Sequence, residues 1–89
     1  MRATLEISLY PLLQQNKEDE YKKIVKKFLS DISKKEGLVI ESNGLSSIVY
    51  GDYKDIILLL QEEVRDYLKK YRSVFVFKIG KGTLSYSNK

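Results

Sequence analysis

The sequence predicts an α+β sandwich of element order β-α-β-β-α-β, in which a four-stranded antiparallel sheet carries two helices on one face. Residues near both ends of the chain form short runs with strand character, of which the first alternates polar and apolar side chains. Two longer segments repeat apolar residues at helical spacing, and an Asn-Gly pair lies between these two segments. Together these three observations give the number and the order of the elements.

The first strand is predicted over residues 3–10, where every second residue is apolar. The apolar set is Ala3, Leu5, Ile7 and Leu9, and the set between is Thr4, Glu6, Ser8 and Tyr10. Pro11 should end the strand, because proline has no N–H to donate to a neighbouring strand.

The first helix is predicted over residues 18–35, where apolar residues recur at offsets of three and four. They are Tyr21, Ile24, Val25, Phe28, Leu29 and Ile32. Acidic residues at positions 18–20 suit the positive end of a helix dipole, and Gly37 follows the other end.

The next two strands are predicted over residues 38–42 and 45–50, which are short and rich in apolar residues. Asn43 and Gly44 between them favour the positive φ values of a tight hairpin turn. The parity of the third strand is ambiguous, and we expect Leu45 and Val49 to point inward, which would leave the Ser47 hydroxyl near the core.

The second helix is predicted to begin at Asp52, which suits the N-cap position. Its expected buried stripe is Ile57, Leu60, Val64, Tyr67, Leu68 and Tyr71. The fourth strand is predicted over residues 73–79, which are dense in Val and Phe, and Gly80 should end it.

Right-handed crossovers through both helices would place them on one face of the sheet, which is the ferredoxin-like arrangement. We expect one ligand-binding domain over residues 1–82 and a C-terminal tail over residues 83–89 that can add a short edge strand. The other sheet face stays open and carries Val74, Val76 and Lys78 by parity. Because so small a domain has a thin core, we expect a homodimer or homotetramer.

Composition excludes most enzyme mechanisms. The chain has 89 residues and a formal net charge of +4, and it contains no Cys and no His. It therefore lacks a thiolate nucleophile, a thiolate metal site and the commonest acid/base group near neutral pH. We expect a protein that is not an enzyme and needs no metal or cofactor. The sequence shows neither a signal peptide nor a run long enough to span a membrane, so a cytoplasmic location is expected.

Two short motifs resemble a known family. They are Glu6-Ile-Ser-Leu-Tyr-Pro-Leu12 and Gly44-Leu-Ser-Ser-Ile-Val-Tyr-Gly-Asp52. The resemblance is to the YKOF-related and thiamine-binding protein superfamily, whose members carry a similar first strand and a similar Ser-Thr-to-Gly-acid segment before the second helix. It extends through Lys81 in element order and length. Ser47 stands where Thr is usual, and Tyr50 stands where a smaller or polar residue is frequent, so the resemblance leaves the ligand open.

The resemblance implies a domain that binds thiamine or its hydroxymethylpyrimidine moiety without chemistry. Such a site needs an aromatic platform, hydroxyl or amide partners and preferably a carboxylate. The residues that can supply these groups are Glu6, Ser8, Tyr10, Asn43, Ser46 and Ser47, of which Ser8, Tyr10, Ser46 and Ser47 match positions of the two motifs. Tyr10 would be the platform, and the serines would be hydrogen-bonding partners. Each residue also has an ordinary structural interpretation, since small hydroxyls beside a hairpin usually satisfy local backbone groups.

Two other functions stay open at this point. A regulatory or protein-interaction domain of the ACT type has the same element order and would bind an amino acid between domains. A basic RNA-binding module is a weaker alternative, supported by seven basic residues against one acid over residues 65–89. RNA-recognition modules stack bases on aromatic residues of their first and third strands, whereas Phe75 and Phe77 lie on the fourth and should face the helices. Nucleic acid is therefore not an expected partner.

Overall fold

The computed structural model describes residues 1–12, 18–43 and 45–84. The strands are β1 (Arg2–Pro11), β2 (Val39–Ser42), β3 (Ser47–Asp52) and β4 (Ser73–Lys81). The helices are α1 (Glu18–Ser33) and α2 (residues 53–70), and α2 consists of Tyr53–Leu59, a π-helical turn at Leu60–Val64, and Arg65–Lys70. The predicted order of elements is confirmed.

The four strands form one antiparallel sheet with the order β2-β3-β1-β4. The central strand β1 alternates as predicted, and its apolar side chains join those of both helices in one buried core. The ferredoxin-like α+β fold is therefore confirmed. Pro11 is the last residue of β1 and pairs with Ser73, and the next N–H, from Leu12, donates to the Arg72 carbonyl oxygen at 2.8 Å.

Aromatic rings join the two helices to β4 in the middle of the core. The Phe28 ring packs edge-on against Tyr67 at 5.1 Å between centroids, and it packs at a tilt against Phe75 at 5.2 Å. The Tyr67 hydroxyl donates to the Asp31 carboxylate of α1 at 2.7 Å. Ring packing of this kind adds about 0.5–1.5 kcal/mol per pair to the free energy gained by burying the rings.

The buried stripe of α2 differs from the predicted one at Ile57 and Leu68. Ile56 and Leu59 are buried in the first half of the helix, whereas Ile57 is half-buried and Leu68 is exposed. For Ile57 the reason is the π-helical turn, whose wider repeat brings Leu59 and Val64 to the same side although five positions separate them. Leu68 follows this turn and lies on the flank of the stripe that Val64 and Tyr67 form. The prediction assumed an uninterrupted α-helical repeat.

The start of α2 and the end of β4 also differ in detail from expectation. Asp52 occupies the N-cap position, but its carboxylate makes no capping hydrogen bond and instead lies 3.0 Å from the amino group of Met1. β4 continues through Gly80 to Lys81, because both residues still pair with β1.

The C-terminal tail returns to β1 instead of forming the predicted edge strand over its first residues. The Thr4 hydroxyl donates to the Gly82 carbonyl oxygen at 2.7 Å and accepts from the Leu84 N–H at 2.9 Å. Thr83 and Leu84 are not in a strand, and the rest of the predicted edge strand, residues 85–89, lies outside the described residues. Across the described ranges, no helix is long and apolar enough to cross a bilayer.

Candidate functional site

A cleft lies beside the last residues of β1, which extend beyond the end of β3. The β1–β3 pairing ends at Ile7 and Ser47, whereas the β1–β4 pairing continues to Pro11 and Ser73. The last residues of β1 therefore pair with a strand on one side only. The space on the other side, between β1, residues 43–46 and α1, is a cleft of about 120 Å³.

Among the residues that the structure describes, those that line this cleft are all uncharged. The lining residues are Ile7, Ser8, Leu9, Tyr10, Tyr21, Val25, Phe28, Leu29, Asn43, Leu45, Ser46 and Ser47. Five of the six residues predicted for the site are among them, namely Ser8, Tyr10, Asn43, Ser46 and Ser47. The sixth, Glu6, does not line the cleft but contacts one of these residues.

The connection between β2 and β3 is held by the side chain of Asn43. Its Oδ1 accepts from the backbone N–H groups of Leu45 and Ser46 at 2.7 and 2.9 Å. The backbone N–H of Asn43 donates to the Ser46 carbonyl oxygen at 3.0 Å. The strands end at Ser42 and begin again at Ser47, so the predicted two-residue turn is wrong and the connection spans residues 43–46. Gly44, the second residue of that predicted turn, lies outside the described residues.

This connection explains why the predicted inward position of Leu45 is wrong. Leu45 precedes β3 and is 87% exposed, because the Asn43 side chain, and not a β ladder, orders the backbone there. The other part of that prediction is confirmed, since Val49 is buried and Ser47 is 5% exposed on the core side. The Ser47 hydroxyl lies 3.1 Å from the Ser42 hydroxyl of the neighbouring strand.

Two hydroxyls tie the connection to β1. Ser8 Oγ donates to the Leu45 carbonyl oxygen at 3.1 Å. Ser46 Oγ donates to Glu6 Oε2 at 3.2 Å, and Glu6 Oε1 lies 3.8 Å from the Lys78 ammonium group on β4. Glu6 therefore contacts the cleft indirectly, through the hydrogen bond that it accepts from Ser46.

Two tyrosines, one from β1 and one from α1, contribute aromatic surface to the cleft. Tyr10 is 44% exposed, as an aromatic platform requires, and Tyr21 is half-buried. The site prediction missed Tyr21 because it was counted among the core residues of α1. The available signal was its place as the first aromatic residue of that stripe, in the first turn of the helix that follows β1. Tyr50 does not line the cleft, because it points away from the core and donates to Glu41 at 3.0 Å.

Several solved structures superpose on this chain over nearly its whole length. A Streptococcus pneumoniae protein matches with a TM-score of 0.78 at 14% identity, covering 94% of this chain and 90% of its own. A candidate thiamine biosynthesis/salvage protein of Thermotoga maritima matches with a TM-score of 0.77 at 17% identity, covering 97% and 91%. This chain has their fold. A hypothetical protein of Methanocaldococcus jannascii shares this ferredoxin-like fold with a TM-score of 0.75 at 24% identity, covering 98% and 87%.

The comparisons by sequence give no match, either to a family model or to a curated protein. The ferredoxin-like fold is thus shown by structure alone. Chemically, the cleft of this ferredoxin-like domain offers hydrogen-bonding groups on one wall and apolar side chains of α1 on the other. A small, flat and neutral molecule with polar edges suits such a site.

Proposed function

We propose that the chain belongs to the YKOF-related and thiamine-binding superfamily and binds the hydroxymethylpyrimidine moiety of thiamine without transforming it. The observation that carries the proposal is the cleft beside β1, which gathers residues of both family-like motifs around one space. Ser8 and Tyr10 come from the first motif, and Ser46 and Ser47 come from the second. The likeness to a candidate thiamine biosynthesis/salvage protein supports the same ligand class.

The size and charge of the cleft favour the pyrimidine ring over the rest of thiamine. Pockets for drug-sized ligands measure about 300–1,000 Å³, so a cleft of about 120 Å³ suits a single ring. Within the described ranges, the residues that line the cleft offer no carboxylate to the cationic thiazolium. Intact thiamine would therefore place its pyrimidine ring inside and its thiazolium outside the cleft.

The proposal includes self-association through the open sheet face. Val74 and Val76 on this face are 45% and 53% exposed. Neighbouring apolar side chains of this kind favour burial against a second copy, and a thin core gains stability from it. Sedimentation equilibrium at micromolar concentration should show a dimer or tetramer, and a species of 10.4 kDa alone would contradict this part. The proposed location is the cytoplasm, in keeping with a chain that has no Cys.

Calorimetric titration tests the ligand. Hydroxymethylpyrimidine should bind saturably at about one per chain, thiamine and thiamine phosphate should bind no more tightly, and a short single-stranded RNA should not bind. Chromatography of the mixture after incubation should recover the ligand unchanged, as a binding protein requires. Absence of saturable binding by all three pyrimidine compounds would refute the proposal, and salt-sensitive RNA binding would favour the nucleic-acid alternative.

A matched pair of tyrosines tests the site. Tyr10→Ala should weaken hydroxymethylpyrimidine binding about tenfold, because a stacking platform contributes about 1–3 kcal/mol. Tyr53→Ala is the control, since Tyr53 is 43% exposed and does not line the cleft. Equal affinities in the two variants would remove Tyr10 from the site.

A further inference from the structure

The hydrogen bonds inside the protein decide which way the hydroxyls of the cleft can act. A carbonyl oxygen and a carboxylate can only accept, so Ser8 must donate its proton to Leu45 and Ser46 must donate its proton to Glu6. Both residues line the cleft, and with their protons engaged these oxygens have only lone pairs to offer a ligand. To a ligand, these two serines are acceptors.

Asn43 has the opposite polarity for the same reason. Its Oδ1 already accepts from two backbone N–H groups, so the group left to face a ligand is the amide nitrogen, which is a donor. The cleft thus combines two acceptors with one donor. An amino group beside an unprotonated ring nitrogen is complementary, because it supplies two N–H donors and one acceptor.

We propose that Glu6 is a positioning residue that makes the cleft select flat heterocycles carrying an amino group over analogues carrying an oxo group. This inference rests on the proposed function and concerns the same site. What the inference adds is that Glu6, a residue outside the cleft, determines the ligand specificity of the cleft. It does so by holding the Ser46 proton away from the ligand.

The selection has a definite physical origin. An oxo group would place an acceptor oxygen against serine oxygens that are themselves acceptors. To bind it, Ser46 would have to rotate its proton into the cleft and give up its bond to Glu6. A bond to an ionised carboxylate is stronger than one between neutral groups, so this rotation is costly. We expect the oxo analogue to bind about tenfold more weakly than the amino compound.

The experiment measures a ratio of affinities. The ligands are hydroxymethylpyrimidine and the analogue in which an oxo group replaces its amino group, each titrated calorimetrically into three full-length proteins. In the wild type the amino compound should bind about tenfold tighter. In Glu6→Gln the neutral amide holds the Ser46 proton less firmly, so the ratio should fall to about threefold or less. In the control Lys78→Gln, which removes the ammonium group beside Glu6 and keeps the carboxylate, the ratio should stay at its wild-type value.

The outcomes separate this inference from the proposed function. A wild-type ratio near one, or an unchanged ratio in Glu6→Gln, overturns the inference while hydroxymethylpyrimidine binding stands. A Glu6→Gln change that weakened both ligands equally would show a structural role only and would also overturn it. Failure of both ligands to bind the wild type overturns the proposed function and the inference together. Should Glu6→Gln not fold, Ser46→Ala replaces it, since removing the oxygen should likewise reduce the ratio.

Discussion

Replacing Tyr67 with Phe removes the hydroxyl through which α2 donates a hydrogen bond to a carboxylate of α1. The Tyr67 hydroxyl donates to Asp31 at 2.7 Å from a ring that is almost completely buried. Lys27 also contacts Asp31, at 3.4 Å, and its ammonium group lies 5.6 Å from the centre of the Tyr67 ring. Because α1 supplies the apolar wall of the cleft, this link also supports the candidate site.

The structure limits how much stability the variant Tyr67→Phe can lose. A hydrogen bond to a charged group contributes about 1.5–3 kcal/mol when its loss leaves that group unpaired. The Asp31 side chain is 33% exposed and keeps Lys27, so water can replace the lost hydroxyl. We therefore expect a loss near or below the lower limit, about 1–1.5 kcal/mol. In a domain of this size each kcal/mol lowers the Tm by about 4–8 °C.

Urea unfolding over a range of pH measures this loss and its origin. Burial, and next the bond to Asp31, raise the pKa of Tyr67 above its ordinary value of about 10. The unfolded chain then ionises first, so the contribution of Tyr67 is complete below about pH 10 and is lost as the pH rises further. The same bond lowers the pKa of Asp31, so its contribution is complete above about pH 4 and is lost as the pH falls.

The difference in unfolding free energy between wild type and Tyr67→Phe should therefore be level between about pH 4 and pH 10 and shrink on both sides. Tyr71→Phe is the matched control, because within the described part of the chain the Tyr71 hydroxyl makes no hydrogen bond. It should cost less than about 0.5 kcal/mol. A difference that does not change from pH 3 to pH 11, or a loss equal to that of the control, would refute the reasoning.

Three further variants test the packing, the turn after α1 and the tail. Phe28→Ala should lower the unfolding free energy by about 3–5 kcal/mol in urea, because it empties the centre of the aromatic cluster; a loss below about 1 kcal/mol would contradict this packing. Gly37→Ala should cost about 1–2 kcal/mol by the same assay, since Gly37 has a φ of 81°, where an L side chain is strained; an unchanged midpoint would show that the turn tolerates a Cβ. Thr4→Val should cost about 1–2 kcal/mol and should speed hydrogen exchange at the Leu84 amide, because both hydrogen bonds of the Thr4 hydroxyl are lost; unchanged exchange there would mean that Thr4 does not hold the tail.

Most of the fold could be predicted from local patterns, and the exceptions have tertiary causes. The alternation that buries Leu5 and Ile7 sufficed to predict β1. Successive side chains of a strand point to opposite faces whichever strands lie beside it. The phase of α2 could not be predicted, since the residues of the π-helical turn are ordinary helix formers. The Lys35 ammonium group lies 3.1 Å from Glu62 and 2.9 Å from Glu63 in that turn, a contact that exists only after the two helices pack.

In the candidate site, too, local patterns predicted the residues, whereas tertiary contacts decided how they come together. The two motifs singled out Ser8, Tyr10, Ser46 and Ser47, because these residues stand at the positions that match the family's first strand and Ser-Thr pair. That these residues share one cleft follows from the early end of the β1–β3 pairing, which the sequence does not reveal. Tyr21 was missed because helical periodicity assigns a residue to the buried side without saying whether a cleft lies there.

The π-helical turn lets α2 change its length without changing the side that meets the core. The turn at Leu60–Val64 is equivalent to an α-helix that has accepted one additional residue. A deletion of one residue there would restore the regular repeat and leave Leu59 and Val64 four positions apart, a separation that an α-helix also places on one side. Tyr67 would then still face Asp31. A deletion elsewhere in α2 has no such turn to absorb it and would rotate the remainder of the helix by about 100°.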